Sequence, residues 1–327
     1  MDEFSDKNIK QVIIPTDDFA ASTLDEFAPE LLPYYYIPIV KDTPGELTKC
    51  MDKGLQKSIA ERCGLNVAKA RTIIVSENEY DIPEDIEYPC FTKPQMTKGS
   101  PKTFIRKCDS EDELRNLLTE VSKRGKCKIL IEQYLPIDKE YVVPGCCLGD
   151  NVYIPAFIEK KRIGCGKHKG VTASGKVIDA KSMEAILEKF KNFVAEFKLF
   201  GLFDLELIES NGIIYFSELN LRNGAAGFGV TSAGVNLPGI YIEYCLNGKI
   251  PSKINSVKDG LTFVNEKVEL DDYYAGYISW MQYKSNVNKE EVRFIVNNDD
   301  PVSGKVFNAF VRKQRIKRII KNILRRR

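Results

Sequence analysis

The chain reads as an α+β protein, and three observations predict that class. Residues 203–222, FDLELIESNGIIYFSELNLR, alternate apolar and polar side chains about an Asn-Gly turn, which is the pattern of an antiparallel hairpin. Stretches such as 109–125, DSEDELRNLLTEVSKRG, repeat apolar residues at helical spacing beside such hairpins, not in regular alternation with parallel strands. No GxGxxG fingerprint and no GxxxxGK[ST] loop of a doubly wound sheet is present.

Taken in order, QVIIP at 11–15 is a short strand, and TDDFAASTLDEFAPELL at 16–32 begins a capped helix. IPIV at 37–40 forms another strand. MDKGLQKSIAERCGL at 51–65 puts Leu55, Ile59, Ala60 and Cys63 on one helical face, with Gly64 as the stop. VAKARTIIV (67–75) and YPCFTKP (88–94) are strands, followed by a loop, MTKGSPKT, and a short strand, FIRKC. The helix at 109–125 takes Asp109 or Ser110 as N-cap and ends at Gly125. KILIEQYL (128–135) is a buried strand stopped by Pro136. Residues 139–162 form a hairpin turning at Gly149-Asp150-Asn151, and MEAILEKFKNFVAEFKLFG is a helix leading into the 203–222 hairpin. The length, 327 residues, calls for two or three subdomains.

Composition narrows the chemistry. Apolar content of 43% and charged content of 29% are those of a soluble globular enzyme. The nine cysteines show no CxxC or framework spacing, which suits a reducing cytoplasm. A single histidine, His168, sits in a basic GCGKHKG loop, so His-rich zinc sites are excluded and a structural or phosphate-contacting use is favoured. The N-terminal residues lack the pattern of a signal peptide, and no run of about eighteen apolar residues occurs.

The hairpin carries the most chemistry. Asp204 and Glu206 share one face of the first strand, and Glu218 and Asn220 share one face of the second, with Arg222 beyond. An exposed polar face would explain such a row. The apolar flanks (Leu202, Phe203, Leu205, Leu207, Ile213, Ile214, Tyr215, Phe216, Leu219) instead make a core hairpin, on which acids need a cation. Hard oxygen donors suit Mg²⁺ sharing its shell with phosphates, and a guanidinium suits a phosphate or acyl phosphate.

At this point the residues resemble the ATP-grasp superfamily, of the carboxylate–amine ligase type and similar to D-aspartate ligase-like bacterial enzymes, over roughly residues 45 to 250. The resemblance implies an ATP-grasp fold: two α+β lobes with the nucleotide between them, preceded by a truncated α/β segment. The expected divisions are 1–45 for that remnant, 46–127 and 128–250 for the two lobes, and 251–327 for a C-terminal extension. By resemblance, Lys53 and Lys93 reach the nucleotide, joined by Lys98 of the phosphate-covering loop. Glu132, Gln133, Tyr134 and Leu135 form the adenine hinge and Glu140 holds the ribose. Glu206, Glu218 and Asn220 bind the metal ions, two Mg²⁺ with Mn²⁺ as an alternative. A carboxylate would attack the γ-phosphate to give an acyl phosphate and ADP, and an amine would then displace phosphate. Arg222, with the backbone of Asn223 and Gly224, would steady the oxyanion, and Lys161 and Arg162 would serve the acyl-phosphate side from a loop that closes over the site.

Three features depart from that pattern. The loop MTKGSPKT has one glycine, Gly99, with Lys98 and Ser100 to compensate. The segment before Lys53 is short for the family's front domain, which leaves two expectations: a truncated chain, or a partner subunit that supplies the missing wall. Residues 312–327 hold nine Lys or Arg and no acid, with Ile316, Ile319, Ile320, Ile323 and Leu324 at helical spacing. That tail suits an anionic membrane surface at the cytoplasmic inner face, with packing on the protein as the alternative; nucleic acid is not expected, for want of interleaved aromatics. A nucleotide-binding module without an acceptor site, and a phosphotransferase, are the other functions the chain admits.

Overall fold

The computed structural model describes residues 10–77, 79–96, 102–298 and 300–324. The expected phosphate loop from 97 to 101, with Lys98, Gly99 and Ser100, lies outside the described residues, as do the last three arginines. The mixture of helices and mostly antiparallel strands is α+β, and the chain divides into two compact units. The first takes the described residues up to Ile158 together with Asp179–Val257; the second takes Glu159–Ile178 and the described residues from Lys258 onward.

In the first unit a four-stranded antiparallel sheet runs in the order Ala70–Val75, Cys127–Gln133, Cys90–Pro94, Arg106–Cys108. Strand Cys127–Gln133 is thus an inner strand of this sheet, pairing with strands that precede it in the chain. Helix Glu111–Ser122 covers the sheet with Leu114, Leu117, Leu118 and Val121, all fully buried. Ser110, not Asp109, caps it by accepting from the Glu113 N–H at 3.3 Å. Gly125, in the left-handed region at φ 96°, lies beyond its end.

Strands Lys139–Leu148, Leu199–Ser210 and Ile213–Asn220 form consecutive antiparallel neighbours, with Asn66–Val67 added in parallel at the edge. The front segment has a parallel pair, Gln11–Val12 with Tyr35–Tyr36, and helix Asp18–Glu26 capped by Asp17. Asp25 on that helix is buried and accepts from the Leu47 and Thr48 N–H groups, tying the front to the next helical turn.

Helix Lys53–Arg62 departs from its expected face. Leu55 is 41% exposed, whereas Lys53, Gln56 and Lys57 are buried with Ile59 and Ala60. Apolar periodicity misplaces this helix because its inner face meets carboxylates and strand backbone, and polar side chains satisfy them there.

In the second unit Thr172–Asp179, Thr262–Val264 and Val292–Arg293 are successive sheet neighbours. Helices Glu266–Ala275, Trp280–Lys289 and Pro301–Leu324 enclose a core of Val264, Leu270, Tyr283, Val287 and Val311. Among the described residues, no helix is long and apolar enough to cross a membrane.

Candidate nucleotide and metal site

The site is built on the hairpin Leu199–Ser210 and Ile213–Asn220. Asn211 and Gly212 turn it with φ of 51° and 74°, the two left-handed residues that a tight two-residue hairpin needs. Asp204 stands opposite Asn220, and Glu206 opposite Glu218, so the expected donors form one row. Strict alternation would also put Phe216 on that row, two residues from Glu218. The register shifts there: Leu207 pairs with Phe216, leaving Ser217 as the extra residue of a bulge. Phe216 is therefore buried at 2% exposure in the core while Glu218 stays on the acidic face. On the neighbouring strand Ile208 pairs with Glu140 and Glu206 with Val142, which places Glu140 on this same face.

Helix Lys53–Arg62 is fixed against the row by Gln56. Its amide accepts from the Leu219 N–H at 2.9 Å and donates to the Leu219 carbonyl at 2.8 Å, replacing a strand at that point of the ladder. Asp52 caps the helix through the Leu55 N–H and also receives Gln95 Nε2 at 2.6 Å. Lys53 and Lys57, one turn apart, then project along one side. Lys53 Nζ lies 2.9 Å from Glu218 Oε1, and Lys57 Nζ lies 2.9 Å from Glu132 Oε1. Lys93 completes the group, with Nζ 3.0 Å from Glu132 Oε2 and 3.1 Å from Ser217 Oγ.

Glu132 is a buried carboxylate between two ammonium groups. Burial pushes its carboxyl up, but Lys93 and Lys57 outweigh that and hold it below the ordinary range. Burial drives the Lys57 ammonium the other way, down from its usual value, against the pull of Glu132. For Glu218 burial again raises and Lys53 lowers, with a net depression. These acids stay ionised at neutral pH.

Beside the lysines a cleft of about 470 Å³, counting its open mouth, is lined by Ala68, Phe91, Tyr134, Leu135, Ile208 and Tyr215 with Lys57, Lys93 and Glu132. Its apolar walls with a few polar groups have the make-up of a small-molecule site. The hinge backbone is partly committed: the Gln133 N–H donates to the Lys69 carbonyl and the Tyr134 N–H to the Pro89 carbonyl. Leu135 lines the cleft next to Pro136, which has no N–H.

Arg222 is held at the end of the row. Its Nη1 lies 3.1 Å from Asp204 Oδ2 and its Nε 3.4 Å from Asp18 Oδ1. Burial disfavours its charge, but Asp204 and Asp18 reverse the balance and raise it. A Cβ on Gly224 would lie 1.6 Å from Asp204 Oδ2, so only glycine lets this carboxylate reach the arginine. The Asn223 N–H, expected to face an oxyanion, donates to the Pro15 carbonyl at 3.1 Å. The front segment takes up that group and supplies Asp18.

Lys161 and Arg162 belong to the second unit. Arg162 does not present a free cation: its Nε and Nη2 lie 2.6 Å from Glu269 Oε1 and Asp272 Oδ2, both buried. Lys161 pairs with Glu159 at 2.8 Å. His168 Nε2 lies 2.7 Å from Asp271 Oδ2, a structural contact.

Among the described residues no three His, Cys, Asp or Glu groups form a ready metal cage. The donors on the acidic face are Glu206 and Glu218 with the Asn220 amide, a hard-oxygen set. That chemistry fits Mg²⁺, which takes one or two protein carboxylates and completes its octahedron with water and phosphate oxygens.

The chain is similar to known proteins in both sequence and fold. No family model matches it. It is 24% identical over 191 residues to the carbamoyl phosphate synthase large chain of Lachnoclostridium phytofermentans, covering 57% of this chain and 18% of that one. It is 24% identical over 264 residues to the D-aspartate ligase of Enterococcus faecium, covering 72% of this chain and 59% of the ligase. The chain thus spans less than two thirds of the length of these curated relatives. Among solved structures it superposes on the biotin carboxylase–ATP-analogue complex from Campylobacter jejuni with a TM-score of 0.61 at 16% identity, covering 77% of this chain and 57% of that chain. The ADP complex of N5-carboxyaminoimidazole ribonucleotide synthetase gives 0.62 at 17% identity, over 82% and 69%. The fold is the ATP-grasp fold.

Proposed function

We propose that the chain is an ATP-dependent carboxylate–amine ligase that forms an amide through an acyl phosphate. The observation that carries this is the convergence of Lys53, Lys57 and Lys93 on a carboxylate row beside an apolar cleft, within an ATP-grasp fold. The cleft takes the adenine, with the Leu135 N–H on its edge and Glu140 at the ribose. Lys93 and Lys53, mobile point charges, follow the phosphate oxygens.

Glu206, Glu218 and Asn220 would hold Mg²⁺, which supplies charge neutralisation at the phosphates when bound. Glu218 would hold the ion in place of its present partner Lys53, whose ammonium would then be available to a phosphate oxygen. The substrate carboxylate attacks the γ-phosphorus and ADP leaves. The amine then adds to the activated carbonyl, and Arg222, fixed by Asp204 and Asp18, stabilises the oxyanion before phosphate departs.

The likeness to D-aspartate ligase supports an amino-acid substrate, and this reading assigns the reaction to cell-envelope precursor or amino-acid metabolism. This reading puts the enzyme in the cytoplasm, with its basic tail toward the inner face of the membrane.

The test is phosphate release from Mg-ATP against a panel of amino acids and envelope-precursor fragments. Release that requires both a carboxylate and an amine is expected. Release without an amine means phosphotransfer, and ATP binding without turnover means a nucleotide-binding module; either result removes the ligase reading.

A further inference from the structure

Helix Pro301–Leu324 meets its own unit with a mixed face and turns its longest apolar stripe outward. Val311 is buried in the core and Phe307 packs against it. Arg318 lies on the same side, its guanidinium 4.5 Å from the centre of the Tyr273 ring and its Nη1 donating to the Tyr273 carbonyl at 2.7 Å. Arg315 covers Trp280 at 4.6 Å. At about 100° per residue, these four side chains fall on one half of the helix.

The other half carries Val302, Val306, Phe310, Ile316 and Ile320, exposed by 68, 65, 43, 58 and 51%. Over about 27 Å this stripe runs along the helix, bordered by Lys305 and Arg312 and interrupted by Lys313 and Lys317, all exposed. Residues 301–327 contain ten Lys or Arg and no Asp or Glu.

We propose that this face is a docking surface for an anionic lipid bilayer, with the five apolar side chains at the acyl boundary and the cations beside and among them reaching the headgroup phosphates on their flexible stems. The inference refines the peripheral placement: contact runs from residue 302, well before the basic run at 312–327, and it stands apart from the ligase reading. A bilayer answers both halves of the face at once. A second copy of the chain would oppose Arg312, Lys313 and Lys317 to their own kind. A nucleic acid would meet the cations but offers nothing to aliphatic Val302, Val306, Ile316 and Ile320.

The experiment is co-sedimentation of the full chain with phosphatidylcholine vesicles, with and without phosphatidylglycerol. Binding is expected on the anionic vesicles, weakening with salt. It should fall at least tenfold in Val306→Asp/Phe310→Asp and likewise in Lys313→Glu/Lys317→Glu, since each basic residue at the surface contributes about fivefold. Both pairs are exposed, and thermal melting checks that each variant is folded. Undiminished binding of the apolar double variant overturns the proposal. So does a concentration-dependent dimer, dissolved by that variant, in a chain that ignores vesicles. Tighter binding to single-stranded RNA than to vesicles overturns it too. Mg-ATP turnover measured on the same samples reports separately on the ligase reading.

Discussion

Glu132 and Lys93 meet at 3.0 Å, joining strand Cys127–Gln133 to strand Cys90–Pro94. Lys57 holds the other oxygen of the same carboxylate from the helix. Three elements of the first unit therefore share one buried ionic contact, and the cleft opens beside it.

Replacing Glu132 tests that contact through stability. Glu132→Gln leaves two buried ammonium groups facing a neutral amide and should cost about 3 kcal/mol in urea unfolding. The folded carboxyl lies below its unfolded value, so its contribution is complete above the unfolded value and is lost as pH falls through the folded one. Wild type should lose stability on acidification in that window, and Glu132→Gln should lose less; parallel curves would count against the assignment.

Lys93→Ala should raise the ATP dissociation constant at least tenfold in calorimetry, because a charge-assisted phosphate contact is lost. Lys57 still balances Glu132 in that variant, so folding should survive. Near-normal affinity would contradict the phosphate role.

Glu218→Ala should lower Mg-dependent ATP turnover by two to three orders of magnitude, roughly the effect of removing one preorganised electrostatic group. Unchanged phosphate release would remove Glu218 from the metal set.

Gly224→Ala forces Asp204 off Arg222, since the new methyl would sit 1.6 Å from Oδ2. We expect about 1–3 kcal/mol of destabilisation and a larger loss in turnover than in ATP affinity. Asp18→Asn should show the same separation more mildly, a fall in kcat of roughly tenfold with KM for ATP little changed. Equal losses in both parameters would place Asp18 and Asp204 at the nucleotide instead.

The hairpin was legible because its acids keep period two and its Asn-Gly turn admits one geometry. The ATP-grasp fold was legible from the order of lysines, hinge and acidic row. Lys57 escaped notice although it follows Lys53 by one turn, because a lysine on a helix ordinarily marks the wet side. Gln56 escaped because its partner is backbone, which no side-chain pattern reports. Asp18 could not be found at all: its partner Arg222 is distant in sequence, and an acid in a first helical turn has an ordinary explanation in the helix dipole. The pairing of Arg162 with Glu269 and Asp272 has no local signal, since both acids arrive from a segment more than a hundred residues later.

The extra residue at Ser217 sets the molecule against itself. Shortening the strand there by one would leave Phe216 opposite Leu207 and Glu218 opposite Glu206, a regular ladder with every pairing kept. Such a deletion should yield a sturdier protein, yet it would strip Lys93 of its hydroxyl support and shift the rim of the cleft. A laboratory search for heat resistance would be drawn to this position, and its winners should be poor at handling ATP.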